Sequence, residues 1–154
     1  YPFFTYGIIT WGNTYHSTIN PLFVLQKKAI RIITFSNYNE HTNPIYIKLK
    51  ILKLHDIIYF HNAIFMYDYY SNNLPSIFNS FFIEVKQKHN YNTRLASKSS
   101  FSLPQIRTNY GKFNIRFNGP KVWNSIDDNL KTLRKPMFKK ELKIYLLESY
   151  KYIT

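Results

Sequence analysis

Apolar positions recur at helical spacing in three long stretches of the chain. In the first, Leu22, Leu25, Ala29, Ile32 and Ile33 share one helical face, and Lys27, Lys28 and Arg31 lie off it. Asn20 suits a cap and Pro21 a first helical position, so a helix is expected over 22–36, ending near Ser36–Asn37. The second stretch, 54–70, carries Leu54, Ile57, Ile58, Phe60, Ile64, Phe65 and Tyr69 on several faces. That distribution predicts a helix packed on more than one side, stopped by Asn72–Asn73. The third, 136–150, starts at Pro136 and places Phe138, Leu142, Tyr145, Leu146 and Ser149 on one face, with Lys139, Lys140 and Lys143 elsewhere. Between these, 37–43 is a polar turn, and Pro44 opens a short helix bearing Ile45, Leu49 and Leu52. Leu74–Pro75 starts a brief helical turn through Phe78. Residues 1–12 read as a short extended entry.

The stretch 85–121 has a different character. It contains Lys86, Lys88, Arg94, Lys98, Arg107, Lys112, Arg116 and Lys121 and no acid. Phe113, Ile115 and Phe117 alternate with Asn114 and Arg116, a strand pattern with one basic edge. Loop plus one or two short strands is expected here. Gly119–Pro120 then reads as a turn into a short helix around Val122–Trp123, with Trp123 in the core. The fold expected is mainly α, with a small irregular or stranded basic segment. A helical region over 1–84 is followed by a basic loop and strand segment plus C-terminal helix over 85–154, or the two form one continuous domain.

Composition supports a packed core. Of 154 residues, 45% are hydrophobic and 19% charged, which argues against wholesale disorder. Without cysteine there is no disulfide framework, thiolate metal site or Cys nucleophile. No apolar run is long enough to span a membrane. The chain opens on Tyr1 without a basic, then apolar, leader, so a fragment without signal peptide is expected. Net charge is +13, which points to a polyanionic partner. Lys outnumbers Arg 16 to 5, and Ile, Asn, Tyr and Phe are also abundant, as AT-rich codons would produce. Charge alone therefore leaves the partner open, and its placement carries more.

The search for catalytic chemistry returns little. The acids are Glu40, Asp56, Asp68, Glu84, Asp127, Asp128, Glu141 and Glu148. Two-metal chemistry needs clustered carboxylates. The one adjacent pair, Asp127–Asp128, sits at an expected helix start, where acids favour the dipole. The histidines show no zinc-protease spacing. His55 and Asp56 are helix neighbours, poorly aimed at each other. No glycine-rich phosphate loop or nucleophile elbow is present.

Several segments in order resemble one family. They are Tyr6-Gly7-Ile8-Ile9-Thr10-Trp11-Gly12, Leu25-Gln26-Lys27-Lys28-Ala29-Ile30-Arg31-Ile32-Ile33, His41-Thr42-Asn43-Pro44-Ile45, Leu49 through Ile57, Asn73-Leu74-Pro75, His89-Asn90-Tyr91-Asn92-Thr93-Arg94, Gly119-Pro120-Lys121-Val122-Trp123-Asn124, and Phe138-Lys139. Together they resemble the thumb and post-thumb region that follows the polymerase core in non-LTR, LINE-type, jockey-like retrotransposon reverse transcriptases. The resemblance implies a thumb-like helical domain that guides RNA template and DNA primer or target and leans on an upstream polymerase domain. The Tyr-x-Asp-Asp palm does not occur in this chain. No catalytic residue, metal ligand or cofactor is therefore expected here, and Mg²⁺ belongs to the palm. Nuclear or cytoplasmic residence is implied if the parent element is active.

Phosphate contacts position nucleic acid without reading sequence. The expected contacts are Lys27, Lys28 and Arg31 on the first helix, and Lys88, Arg94, Arg107, Lys112 and Arg116 in the basic block. Tyr91 is the candidate for stacking on a single strand. The competing expectation is a decayed or repurposed helical domain for protein contact, without a nucleic-acid role.

Overall fold

A computed structural model describes residues 2–88 and 100–151, and it is mainly helical. The helices are α1 (Pro2–Thr5), α2 (Ile8–Trp11), α3 (His16–Ile33), α4 (Thr42–Leu49), α5 (Leu54–Tyr70), α6 (Val85–Lys88), α7 (Asn109–Phe113), α8 (Ile115–Ser125), α9 (Asp128–Lys131) and α10 (Lys135–Glu148). Short 3₁₀ turns cover Ser76–Phe78 and Ser149–Lys151.

Helix α5 is the axle, touching α1, α2, α3, α8 and α10. Its apolar residues on several faces require this, since each face must leave water. Ile57, Ala63, Met66 and Tyr67 of α5 join Ile8, Leu52, Phe82, Phe101, Trp123, Phe138, Leu142 and Leu146 in the main core. Trp123 is fully buried, as its position suggested. The α5–α8 contact is close because position 119 is glycine: a Cβ there would meet Met66 Sδ at 2.6 Å. A second cluster joins Ile30, Ile45, Tyr46 and Tyr150, locking α3, α4 and the C-terminal turn together.

Several expectations need correction. Residues 2–11 are two helical turns rather than an extended entry, separated at Gly7, whose φ of 60° suits glycine. Helix α3 starts at His16, not at Pro21; Thr18 and Ile19 both donate their N–H to the Tyr15 carbonyl. Pro21 lies inside the helix and leaves the Ser17 carbonyl without its usual donor. Ser17 is exposed, so that carbonyl stays within reach of solvent.

The inward face of α3 is also reversed. Ile19, Gln26 and Ile30 are buried, whereas Leu25, Ile32 and Ile33 are 56%, 73% and 63% exposed. Gln26 explains the choice. Its Nε2 donates to the Leu52 carbonyl at 2.9 Å, and its Oε1 accepts from Tyr46 Oη at 3.1 Å and Leu54 N at 2.9 Å. A buried amide with its partners met is stabilising, so a polar residue anchors the packed face.

The strand expected at 113–117 is helical. Asn114, at φ −68° and ψ 145°, is a single extended residue between α7 and α8, and its side chain caps α8 by accepting from Arg116 N at 2.9 Å. The apparent alternation of Phe113, Ile115 and Phe117 comes from two helices meeting at that cap. Among the described residues the β pairing is one antiparallel bridge, Glu84 with Phe101. Gly119–Pro120 lies within α8 rather than in a turn. Asp127 does cap α9, its Oδ1 accepting from Asn129 N at 3.2 Å.

Candidate nucleic-acid interface

Five of the residues expected to meet phosphate, Lys28, Arg31, Lys88, Lys112 and Arg116, line three separate grooves, and Lys27 and Arg107 line none of them. In the first, Ser102 N donates to the Ile83 carbonyl at 2.8 Å and Val85 N to that of Ser100 at 3.0 Å. These bonds hold the 80–88 and 100–105 segments side by side. The groove between them, about 330 Å³, is lined by Lys88 and Arg116 with Phe81, Ser102 and Gln105. Lys88 Nζ donates to Ser102 Oγ at 3.2 Å, and the Arg116 guanidinium lies 4.3 Å above the Phe81 ring. Stacking on an aromatic face orients a guanidinium while leaving its N–H edges free to donate.

The second groove, about 540 Å³, lies at the C-terminal end of α3 and is lined by Lys28, Arg31, Ile32, Phe35, Ser36 and Tyr38. Lys28 is exposed. Arg31 donates from Nε and Nη2 to the Glu40 carbonyl at 3.0 and 2.9 Å, which clamps the loop to α4. Lys27 Nζ lies 4.3 Å from the centre of the Phe23 ring. Of the three α3 cations, Lys28 is the one that points outward without a specific protein contact among the described residues.

Phe35 stands out in this groove. It ends α3 in the left-handed conformation, φ 53°, with Ser36 N donating to the Arg31 carbonyl at 2.9 Å. Glycine is the usual occupant of such a position. Here a phenylalanine occupies it, 97% exposed, beside Tyr38 at 77%.

The third groove, about 340 Å³, joins the α2–α3 junction to α5, α7 and α8, and contains Lys112 together with Lys121, His16, His55 and Asn118. Tyr15 brings these pieces together by packing edge-on to Phe113, ring centres 4.6 Å apart. Asn118 Nδ2 donates to the Lys112 carbonyl at 2.8 Å and fixes α7 against α8. Arg107 is exposed and lines none of these three grooves. Tyr91 and Arg94 lie outside the described residues.

None of the acids lines these three grooves. Asp127, Asp128, Glu141 and Glu148 line a separate cavity of about 670 Å³. Asp56 accepts the Tyr150 hydroxyl, and Asp68 pairs with Lys135 at 2.6 Å. His16, Phe35 and Tyr38 were not singled out from sequence, Lys121 was counted only within the basic block, and His55 was set aside with Asp56. Lys121 belongs to the acid-free block and was countable, but His16 and His55 meet only through tertiary packing. Among the described residues no group of three or more His, Asp or Glu is placed to hold a metal ion, and no helix is long and apolar enough to cross a membrane. No protein-family model, curated protein or solved structure matches the chain.

Proposed function

We propose that this chain is a nucleic-acid-binding appendage without chemistry of its own, the post-polymerase part of a LINE-type reverse transcriptase. One observation carries the reading: Lys28, Arg31, Lys88, Lys112, Arg116 and Lys121 line grooves without carboxylates, while half of the chain's eight acids line one separate cavity, where Lys131 pairs with Asp128. Codon bias raises the number of lysines but does not sort them from the acids. Segregation creates a directional field that attracts a polyanion. The groove of Lys88 and Arg116 is the primary contact, with Lys112 and Lys28 extending it. Sequence-tolerant binding follows from phosphate contacts alone.

A fluorescent single strand titrated across salt concentrations tests this. Engagement of about four phosphates gives a log–log slope near −3, from roughly −0.7 per phosphate. Reversing Lys88 and Arg116 to Glu should lower affinity at least tenfold and flatten that slope. Reversing Lys48 and Lys140, outside the three grooves, is the charge-matched comparison. Equal losses from both pairs mean diffuse attraction and remove the interface. Incorporation or cleavage by the purified chain with Mg²⁺ or Mn²⁺ would contradict the absence of its own chemistry.

A second reading, a helical protein-contact module, is favoured by one specific feature. Leu25, Ile32 and Ile33 form an outward apolar stripe on α3, and such stripes mark contact surfaces. Both readings hold together if α3 leans on an upstream polymerase domain and the 80–121 side meets nucleic acid.

A further inference from the structure

The third groove has a feature that general charge does not explain. The rings of His16 and His55 lie parallel, 8° apart in orientation and 4.9 Å between centres, one over the other. Phe23 closes the other edge of His55 at 5.2 Å. His55 Nε2 is buried, and no hydrogen-bond partner reaches it among the described residues. A buried polar nitrogen without a partner carries a desolvation cost, and such atoms are rare. Burial, with His16 beside it, holds the His55 imidazole below the ordinary histidine range. Two lysines, Lys112 and Lys121, line the same groove with the stacked pair, and neither makes an ion pair or side-chain hydrogen bond to a described residue. Lys27 and His16 already act on His55 by charge, so a proton added to either stacked ring brings further positive charge into a groove that Lys112 and Lys121 also line. An arrangement of this kind is relieved by an anion.

We propose that the His16–His55–Lys112–Lys121 groove is a binding site for a phosphate-type oxyanion, coupled to protonation of the stacked histidine pair. The ligand chemistry is a tetrahedral oxyanion carrying one or two charges, from free phosphate or from a backbone phosphodiester. Lys112 and Lys121 supply the standing charge, and Asn118 holds the Lys112 backbone in place. His16, exposed at the start of α3, lines the groove as a further donor, and an anion oxygen there is a partner for His55 Nε2 once that nitrogen carries a proton. The groups that touch or act on His55 are His16, Phe23 and Lys27 of α3 and its neighbour Asp56, and Lys112 of α7 and Lys121 of α8 line the same groove. The Asp56 charge works against the depression of His55, but its carboxylate accepts the Tyr150 hydroxyl and does not line the groove. The pH dependence that results has one sign: the anion binds better as pH falls through the histidine range, because each added proton faces it. The diester source rests on the nucleic-acid reading above; the free-anion source does not.

Sulfate is the probe that separates these possibilities, because its charge is constant from pH 5 to 8. Histidine ring resonances of the full chain are followed by NMR during sulfate titration at pH 5.5 and pH 7.5, at constant ionic strength set with chloride. Saturable shifts of His16 and His55 are expected, at least about fivefold tighter at the lower pH, as one added charge at contact distance gives even in high dielectric. Lys112→Gln with Lys121→Gln, both exposed and away from the core, should abolish saturation without moving the melting temperature. Replacing both His16 and His55 by Gln should keep weak binding and remove its pH dependence. Linear, unsaturated shifts, or equal affinity at both pH values, overturn the proposal. A single-stranded oligonucleotide forms the second arm. If it displaces sulfate and moves the same rings, the groove takes backbone phosphate. If it binds through Lys88 and Arg116 without moving them, the site is for a free anion. If sulfate saturates while no oligonucleotide binds, this proposal stands and the nucleic-acid reading fails. If oligonucleotide binds while sulfate never saturates and the rings stay still, the reverse holds.

Discussion

The Tyr150 hydroxyl donates to Asp56 and, in the same position, accepts the backbone N–H of Lys53 at 3.0 Å. This pair ties the last turn of the chain to the N-terminus of α5. Burial pushes the Tyr150 hydroxyl well above the usual tyrosine range, with the Asp56 charge adding to it, so the phenol stays a donor. Burial also raises Asp56, and the hydrogen bond from Tyr150 works against that rise. Lys53 Nζ sits 4.0 Å over the same ring.

Tyr150→Phe removes the donor from a largely buried carboxylate and the acceptor from a backbone N–H. A loss of about 1–3 kcal/mol is expected, because stranded buried polar groups keep their desolvation cost. Urea denaturation reads it as a fall in midpoint at unchanged slope. Placed on an Asp56→Asn background, the same change should cost less, since a neutral amide needs the donor less. Full additivity of the two changes would mean that the pair is not coupled.

Stability should fall on the acid side of pH 6.5. Burial lowers both His55 and His61 from their ordinary value of 6.5, so the native state binds those protons less readily than the unfolded chain. Stability tied to a depressed group is complete above its unfolded value and is lost as pH falls through the native one. Asp56, being raised, acts oppositely in a window that opens at 3.8 and runs upward: its contribution is present below that value and is lost as pH rises through the native one. The histidine window opens at 6.5 and runs downward, and its sign is a loss of stability on acidification. Thermal melts at pH 7.5 and 5.5 should show a fall that shrinks in the His55→Gln, His61→Gln double variant. An unchanged fall would place the proton uptake elsewhere.

Gly119→Ala should destabilise by about 1–3 kcal/mol, the usual cost of forcing a methyl into a filled core. The new Cβ would stand 2.6 Å from Met66 Sδ and 3.4 Å from Phe82 Cε1. Met66 is the side chain that the methyl would strike, so Gly119→Ala should cost less in a Met66→Ala background than in the unaltered chain. Calorimetry of the single and double variants decides it. A neutral Gly119→Ala would mean that α5 and α8 separate freely.

These tests fall on features of unequal legibility. The long helix at 54–70 and its many-sided packing were readable, because its apolar residues occupy several faces and only one environment suits that. The C-terminal helix and buried Trp123 were readable for similar local reasons. The start of α3 was misread because Asn20–Pro21 is a good cap sequence, yet Tyr15 and its contacts with Phe113 and Tyr110 decide where the helix begins. The strand at 113–117 was misread because a one-residue break between helices mimics period two. At the candidate site, lysines without acids were visible as a block. Their division into three grooves was not, because it depends on which helix ends meet. Arg31 shows the limit clearly: its charge and position fit a phosphate contact, but its donors hold the Glu40 carbonyl.

The reversed face of α3 gives the last prediction. By spacing alone, Leu25, Ile32 and Ile33 belong to the apolar face and Gln26 does not. In the fold, Ile30 is 3% exposed and Ile32 is 73% exposed, two residues apart on one helix. Ile30→Ala should therefore cost about 2–5 kcal/mol, the range for truncating a buried aliphatic side chain. Ile32→Ala should stay within about 0.5 kcal/mol, as surface changes do, offset further by the helix preference for alanine. Gln26→Leu should be destabilising despite its greater hydrophobicity, because Leu54 N and the Leu52 carbonyl each lose a partner at 2.9 Å. Replacing Leu25, Ile32 and Ile33 together by serine should leave the melt within a few degrees while reducing concentration-dependent association. If Ile32→Ala instead proves as costly as Ile30→Ala in the isolated chain, the helix packs by its Leu22–Ile33 stripe. Gln26 would then point to solvent, and the orientation of the basic groove at the end of α3 would have to be redrawn.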